Sequence, residues 1–207
     1  MTVQPAVSRY PLRRLTRRDL PEETVALARW LIGKTLVRAW RRGRLVGRIV
    51  ETEAYLPGDA ACHAFAGPTQ RNRALFMAHG HAYVYFIYGN HFMLNVSSER
   101  EGIGAGVLLR AIEPLEGIEA MQRRRGVERV RELCNGPGKL AQAFGINMSL
   151  YGLDYCAAGP LWFAEAVRPT GRIGTSRRIG ITRNARRLLR FYERGNPFVS
   201  GPRALKR

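Results

Sequence analysis

The chain has 207 residues, 45% apolar and 24% charged, which is enough for a real core and excludes a disordered basic chain. Its 34 Lys and Arg against 16 Asp and Glu leave a net charge of +18, so a polyanion is the natural partner, nucleic acid before others. No apolar run approaches the ~20 residues of a membrane helix, and the N-terminus lacks a secretory core. Cys62, Cys134 and Cys156 are odd in number and far apart, which fits reduced thiols in a cytoplasmic protein better than a disulfide framework or a CxxC site.

Residues 1–18 read as a basic, Pro-containing leader ordered only in part, and residues 19–207 as one α+β domain. Pro21 opens a predicted helix whose Val25, Ala28, Leu31 and Ile32 share a stripe, with Gly33 as its stop. "TLVRAW" (35–40), the turn "RRGR" (41–44) and "LVGRIVETEAY" (45–55) form a candidate hairpin. The long Gly-, Pro-, Asp- and Asn-rich loop 56–74 has the character of a functional loop. "AYVYFIYGNHFMLNVSS" (82–98) is a second hairpin. A three-residue turn, Gly89-Asn90-His91, sorts it into an apolar face of Val84, Phe86, Tyr88, Phe92, Leu94 and Val96. The opposite face then carries Tyr83, Tyr85, Ile87, Met93, Asn95 and Ser97. A strand "GVLLRAIEP" (106–114), short helices in "PLEGIEAMQRRR" and "GPGKLAQAFGI", a strand "LWFAEA" and an Arg-rich tail with a short strand complete the chain.

Glu51 and Glu53 follow buried-type residues at period-two spacing. Carboxylates leaving a core this way either pair with basic residues at an exposed strand end or do chemistry. Hydrolysis at a sugar carbon commonly uses carboxylates, although ~7 Å between neighbours on one strand face decides nothing by itself. Tyr83, Tyr85 and Tyr88 read as core aromatics or as a platform for stacked bases. Asn95 can read a purine edge, and Arg110 at the end of an apolar strand calls for a phosphate or carboxylate partner. Together these groups suit a pocket for a base taken out of duplex. The His79-Gly-His81 pair has no acidic or Cys partner at useful spacing and is set aside as a metal site.

At these residues the chain resembles the alkyladenine, or 3-methylpurine, DNA glycosylase family. "VETEAY", "RNRALFM", "YVYFIYGNHFMLNVSS", "VLLRAIEPLEG", "LCNGPGKL" and "RFYERGNPFVS" occur in the family's order from about residue 20 to 201. The resemblance implies one α+β domain, a curved antiparallel sheet with surrounding helices and a protruding, DNA-inserting β-hairpin. It implies a monomer that acts without metal or cofactor on duplex DNA containing damaged purines, in the cytoplasm or, in a eukaryote, the nucleus. Residue by residue, it makes Glu53 the general base that activates water and Glu51 a supporting residue. Arg110 becomes the arginine beside the catalytic glutamate and the flipped nucleotide's phosphate. Tyr55 and Tyr85 stack on the two faces of the base, His63 contacts its edge, and Asn95 meets the amino group of a normal guanine. Ile181 lies at the pocket wall, and Tyr88 fills the gap left in the duplex. The implied reaction is release of 3-methyladenine, 7-methylguanine or hypoxanthine without strand cleavage.

Three features depart from the family pattern: the longer link "SEREGIGAG" (98–106), Asn90 and His91 at the hairpin tip, and Cys62 beside His63. They bear on outer DNA contacts, the grip of the wedge and the range of bases. The competing reading is a non-catalytic, basic nucleic-acid-binding module, which accounts for the charge and the tyrosines but gives Glu53 no purpose.

Overall fold

The computed structural model describes residues 12–40 and 43–201. Among them, eight strands form one antiparallel sheet, curled into a half-barrel, with four helices around it. The strands are β1 (Thr35–Trp40), β2 (Gly43–Tyr55), β3 (Ala82–Ile87), β4 (His91–Ser97), β5 (Gly106–Glu116), β6 (Leu161–Ala164), β7 (Ile173–Ser176) and β8 (Arg190–Glu193). The helices are α1 (Thr24–Trp30), α2 (Ile118–Arg125), α3 (Val130–Leu133) and α4 (Pro137–Phe144). The sheet runs β3-β4-β5-β2-β1-β6, and β8, carrying β7, joins β2 beyond the end of β1. The long strand β2 is therefore the spine: β1 pairs with its first half and β8 with residues 51–53.

One face of the sheet is the core. Val84, Leu94, Val96, Val107 and Leu109 lie there with Leu27 and Ala28 from α1, Leu31 just after it, and Leu140 and Phe144 from α4. The predicted helix begins three residues later than its proline, because the Glu23 carboxylate accepts from the Val25 and Ala26 N–H groups (2.9 and 2.6 Å) and so caps it at Thr24. Of the basic leader, residues 1–11 lie outside the described residues. Arg14 bridges to Ala164, and Leu15 is buried in the core with its N–H on the Phe163 carbonyl (2.9 Å). The predicted turn residues 41 and 42 also lie outside the described residues, and Gly43 and Arg44 already pair in the β1–β2 ladder.

Two departures from regular pairing shape the opposite face. On β2, Ile49 belongs to the main core, Val50 packs with Ala111, Tyr192 and Val199, and Thr52 donates to the Ala28 carbonyl of α1 (2.8 Å). The ladder with β5 shifts register on both sides of Glu51. Strict alternation from Ile49 would aim Glu51 and Glu53 into the apolar core; the bulge reverses the parity and turns both outward.

The second hairpin differs from the expected register. Ile87 pairs with His91 and Phe86 with Phe92, so the three-residue connection is Tyr88-Gly89-Asn90, not Gly89-Asn90-His91. The two faces keep their predicted membership because the shift is two residues in register and preserves parity. Tyr88 is the exception: it leaves the apolar set, enters the turn at φ +57 and is 75% exposed. Gly89 follows at φ +70, where the absence of a Cβ removes the strain that Tyr88 carries, about 1–2 kcal/mol for an L-residue in this region.

Candidate active site

A single row of paired residues crosses the outer face: Tyr83 on β3, Asn95 on β4, Leu108 on β5, Glu53 on β2 and Arg190 on β8. Above it lies a cavity of about 320 Å³, a size typical of small-molecule sites. Tyr55, His63, Tyr85 and Asn95 line it, as do Arg110, Ile181 and Tyr88. The seven reach it from β2, the 56–74 loop, the β3–β4 hairpin, β5 and the tail, so separate parts of the chain converge there. Gly106 also lines the cavity, and a Cβ there would come within 2.7 Å of Leu75 Cδ2 and 3.0 Å of the Val96 carbonyl oxygen.

Glu53 lies beneath this wall and is fully buried. Its Oε2 accepts from the Tyr55 hydroxyl (2.9 Å) and faces Arg110 Nη1 (3.3 Å), and its Oε1 accepts from the Ile179 N–H (2.8 Å). All three donors come from cavity-lining residues. Burial, and then the neighbouring Glu53 carboxylate, push the Tyr55 phenol well above its ordinary value, which keeps its proton available to donate.

Glu51 is equally buried but differently engaged. Its Oε1 accepts from Arg110 Nε (2.9 Å), Arg190 Nε (2.6 Å) and Ser200 Oγ (2.8 Å), and its Oε2 from the Ser200 N–H (2.7 Å). Arg190 is in turn held by Ser176 Oγ and the Ser200 carbonyl, each at 2.9 Å. Burial opposes the Arg110 charge, but Glu53 and Glu51 outweigh it and hold its guanidinium above the ordinary range. Arg110 thus ties the two carboxylates together.

The ring cluster is ordered by its own contacts. Tyr83 and Tyr85 stack with centroids 5.3 Å apart, and His63 meets Tyr85 edge-on at 4.5 Å. His63 Nδ1 shares a 2.8 Å hydrogen bond with the Tyr83 hydroxyl. His63 stands at the exposed rim, yet desolvation of its ring, helped by the Arg71 charge, holds it below the ordinary histidine value and so neutral at pH 7. Burial pushes the Tyr85 phenol up to about 12. The Asn95 amide is fixed by Nδ2 donating to the Tyr83 carbonyl (3.1 Å).

The remaining candidates lie elsewhere. His79 Nε2 and His81 Nδ1 each bond a backbone carbonyl, of Arg17 (3.3 Å) and Ala78 (2.8 Å). The link 98–106 touches the cavity only through its last residue, Gly106, and is bound back onto α1, where Glu99 Oε1 accepts from the Thr24 N–H and hydroxyl (2.9 and 2.6 Å). Sequence reading passed over Ile179, Arg190 and Ser200. The last two are the first and last residues of the tail motif "RFYERGNPFVS", while the Ile179 contribution is a backbone N–H that no side-chain pattern reveals.

A sequence model of the family described as "Methylpurine-DNA glycosylase (MPG)" matches residues 18–197. The chain belongs to the methylpurine-DNA glycosylase family. A protein of Mesorhizobium japonicum named "Putative 3-methyladenine DNA glycosylase" is 62% identical over 192 residues, covering 93% of this chain and 92% of the relative. Relatives with the same name in Paraburkholderia phytofirmans and Methanoculleus marisnigri are 50% and 46% identical, covering 94% and 86% of this chain and 92% and 94% of theirs. The chain is accordingly an enzyme of a DNA glycosylase family, and among its described residues no helix is long and apolar enough to cross a membrane.

Proposed function

We propose that this glycosylase flips alkylated or deaminated purines, of the 3-methyladenine, 7-methylguanine and hypoxanthine type, out of duplex DNA and hydrolyses their N-glycosidic bond. The observation that carries the reading is the Glu53 carboxyl group, held beneath a ring-lined cavity by three donors that all belong to that cavity's wall. A carboxylate offers about four acceptor sites, so a water approaching through the wall finds one still open. Glu53 takes that water's proton as the oxygen attacks C1′, and its charge stabilises the positive sugar that forms as the purine leaves. The proton acceptor, the Tyr55 hydroxyl and the Arg110 guanidinium are then pre-positioned, with no reorganisation left for the reaction itself.

The rings divide the remaining work. Tyr55 and Tyr85 enclose the flipped base, and neutral His63, anchored at Nδ1 by Tyr83, presents its other ring nitrogen to the base edge. Asn95, with its amide pinned to β3, occupies the space that guanine's extra amino group needs. Tyr88 at the exposed hairpin tip fills the gap in the stack, where flipping costs a few kcal/mol. Lys34 pairs with Glu165 (2.9 Å) and Lys139 with Asn135 (3.0 Å). They are the lysines among the described residues and neither lines the cavity, an arrangement that favours hydrolysis by water over attack by a lysine amine. The test is direct: the protein is incubated with duplex DNA carrying one methylated purine, and free base and strand ends are quantified. Released base with intact strands supports the reading, and no release of any methylated purine or hypoxanthine contradicts it.

A further inference from the structure

The Arg178 side chain is fully buried, yet the proposed excision chemistry makes no use of it. Its Nη1 donates to Asp59 Oδ2 (2.6 Å) and to the Ala54 carbonyl (3.0 Å). Its carbon Cζ lies 4.6 Å from the centroid of the Tyr55 ring. Among the described residues, its Nε and Nη2 have no hydrogen-bond acceptor although both are buried, so the ring face is what they are left to interact with. Asp59 is itself clamped by Asn184 Nδ2 (2.9 Å) and the Ala61 N–H (3.0 Å). Burial opposes the Asp59 charge, but these bonds and Arg178 outweigh it and hold the carboxyl below its ordinary value. The pair is a fixed feature of the pocket wall.

Tyr55 lines the cavity with a guanidinium already against its ring. A base stacking on Tyr55 therefore meets a π-system whose electrostatic attraction for cations is largely engaged. A neutral base loses nothing by this, because its stacking is mostly dispersion and desolvation. A base carrying a positive charge is repelled by the charge behind the ring through a low-dielectric path.

Resting on the base-excision reading, we propose that Arg178 is a specificity-determining residue: from behind Tyr55 it tilts the pocket toward neutral damaged purines and away from cationic ones. Asp59 sets how much of its charge is felt. The two partners then have opposite effects, which a purely structural clasp would not produce.

The experiment compares single-turnover release of 7-methylguanine, which is cationic, and of hypoxanthine, which is neutral, from otherwise identical duplexes. Wild type is set beside R178K, R178Q and D59N, each checked for folding by circular dichroism. For a base that is bound but not released, the affinity ratio of lesion over undamaged duplex replaces the rate. The cationic-to-neutral ratio should rise roughly threefold to tenfold in R178Q, stay near wild type in R178K and fall in D59N, which unmasks the charge. If R178Q does not fold, the fall in D59N still decides. A ratio within twofold of wild type in every folded variant, both bases losing alike, overturns the proposal and leaves Arg178 a structural clasp. A wild type that neither releases nor preferentially binds either lesion sinks the base-excision reading instead, a different result from an active enzyme with an invariant ratio.

Discussion

Glu51 and Glu53 stand two residues apart on the same strand, point to the same side of the sheet and are both wholly buried, yet their partners differ. Around Glu51 the donors are Arg190, Ser200 and the Nε of Arg110, with Arg190 and Ser200 drawn from the last strand and the segment after it. This region is joined to β2 by β8, and its carboxylate is saturated. Around Glu53 the donors are Tyr55, Ile179 and the Nη1 of Arg110, all of which face the cavity. A carboxylate's role follows from what its donors do on their other side, more than from its own burial.

That contrast can be broken in three places. The largest effect on stability belongs to Glu51→Gln, which leaves Arg190 and Arg110 short of a buried counter-charge. Unfolding free energy should fall by about 3–5 kcal/mol, measured by denaturant titration, while base release by the folded fraction drops less than tenfold. A stable but inactive Glu51→Gln protein would exchange the two roles.

Next comes acid stability. Burial opposes the Glu193 charge, but hydrogen bonds from Arg48, the Gly171 N–H and Asn196 bring its value from the ordinary 4.5 down to about 2. A folded-state value below the unfolded one contributes stability that is present above pH 4.5 and is lost as pH falls toward 2. Stability should decline by about 3 kcal/mol across that window, and Glu193→Gln should remove that component of the decline. This would place Glu193 with Glu51 among the structural carboxylates. An unchanged pH slope in the variant would detach it from that group.

The smallest effect concerns Tyr88. Tyr88→Ala should shift stability by under about 0.5 kcal/mol, as for an exposed position. Excision from paired duplex should fall about tenfold while excision from single strands holds. Equal loss on both substrates together with a lower melting temperature would return Tyr88 to a core role.

Much of this was legible in the sequence. The period-two pattern of 82–98 sorted both faces of the second hairpin, because parity survives a two-residue error in register. The tip itself was misplaced, since Tyr88 takes a left-handed conformation that a bulky L-residue rarely adopts. In "VETEAY" the spacing marked two carboxylates on one face, but the bulge that turns that face outward depends on pairing with β5, where Arg110 and Ala111 also break alternation. Arg178 and Ile179 were hidden for a simpler reason: one is an arginine among many, the other acts through its backbone. Contacts made by folding distant segments together leave no local periodicity to read.

On the proposed mechanism Glu53 performs the chemistry and Glu51 only supports it. The most direct test is single-turnover base release by Glu53→Gln from a duplex with one methylated purine, with the Kd for that duplex measured in parallel. Release should fall by about 10²–10⁴ or more while lesion-DNA affinity stays within a small factor of wild type. Release within tenfold of wild type would contradict that mechanism.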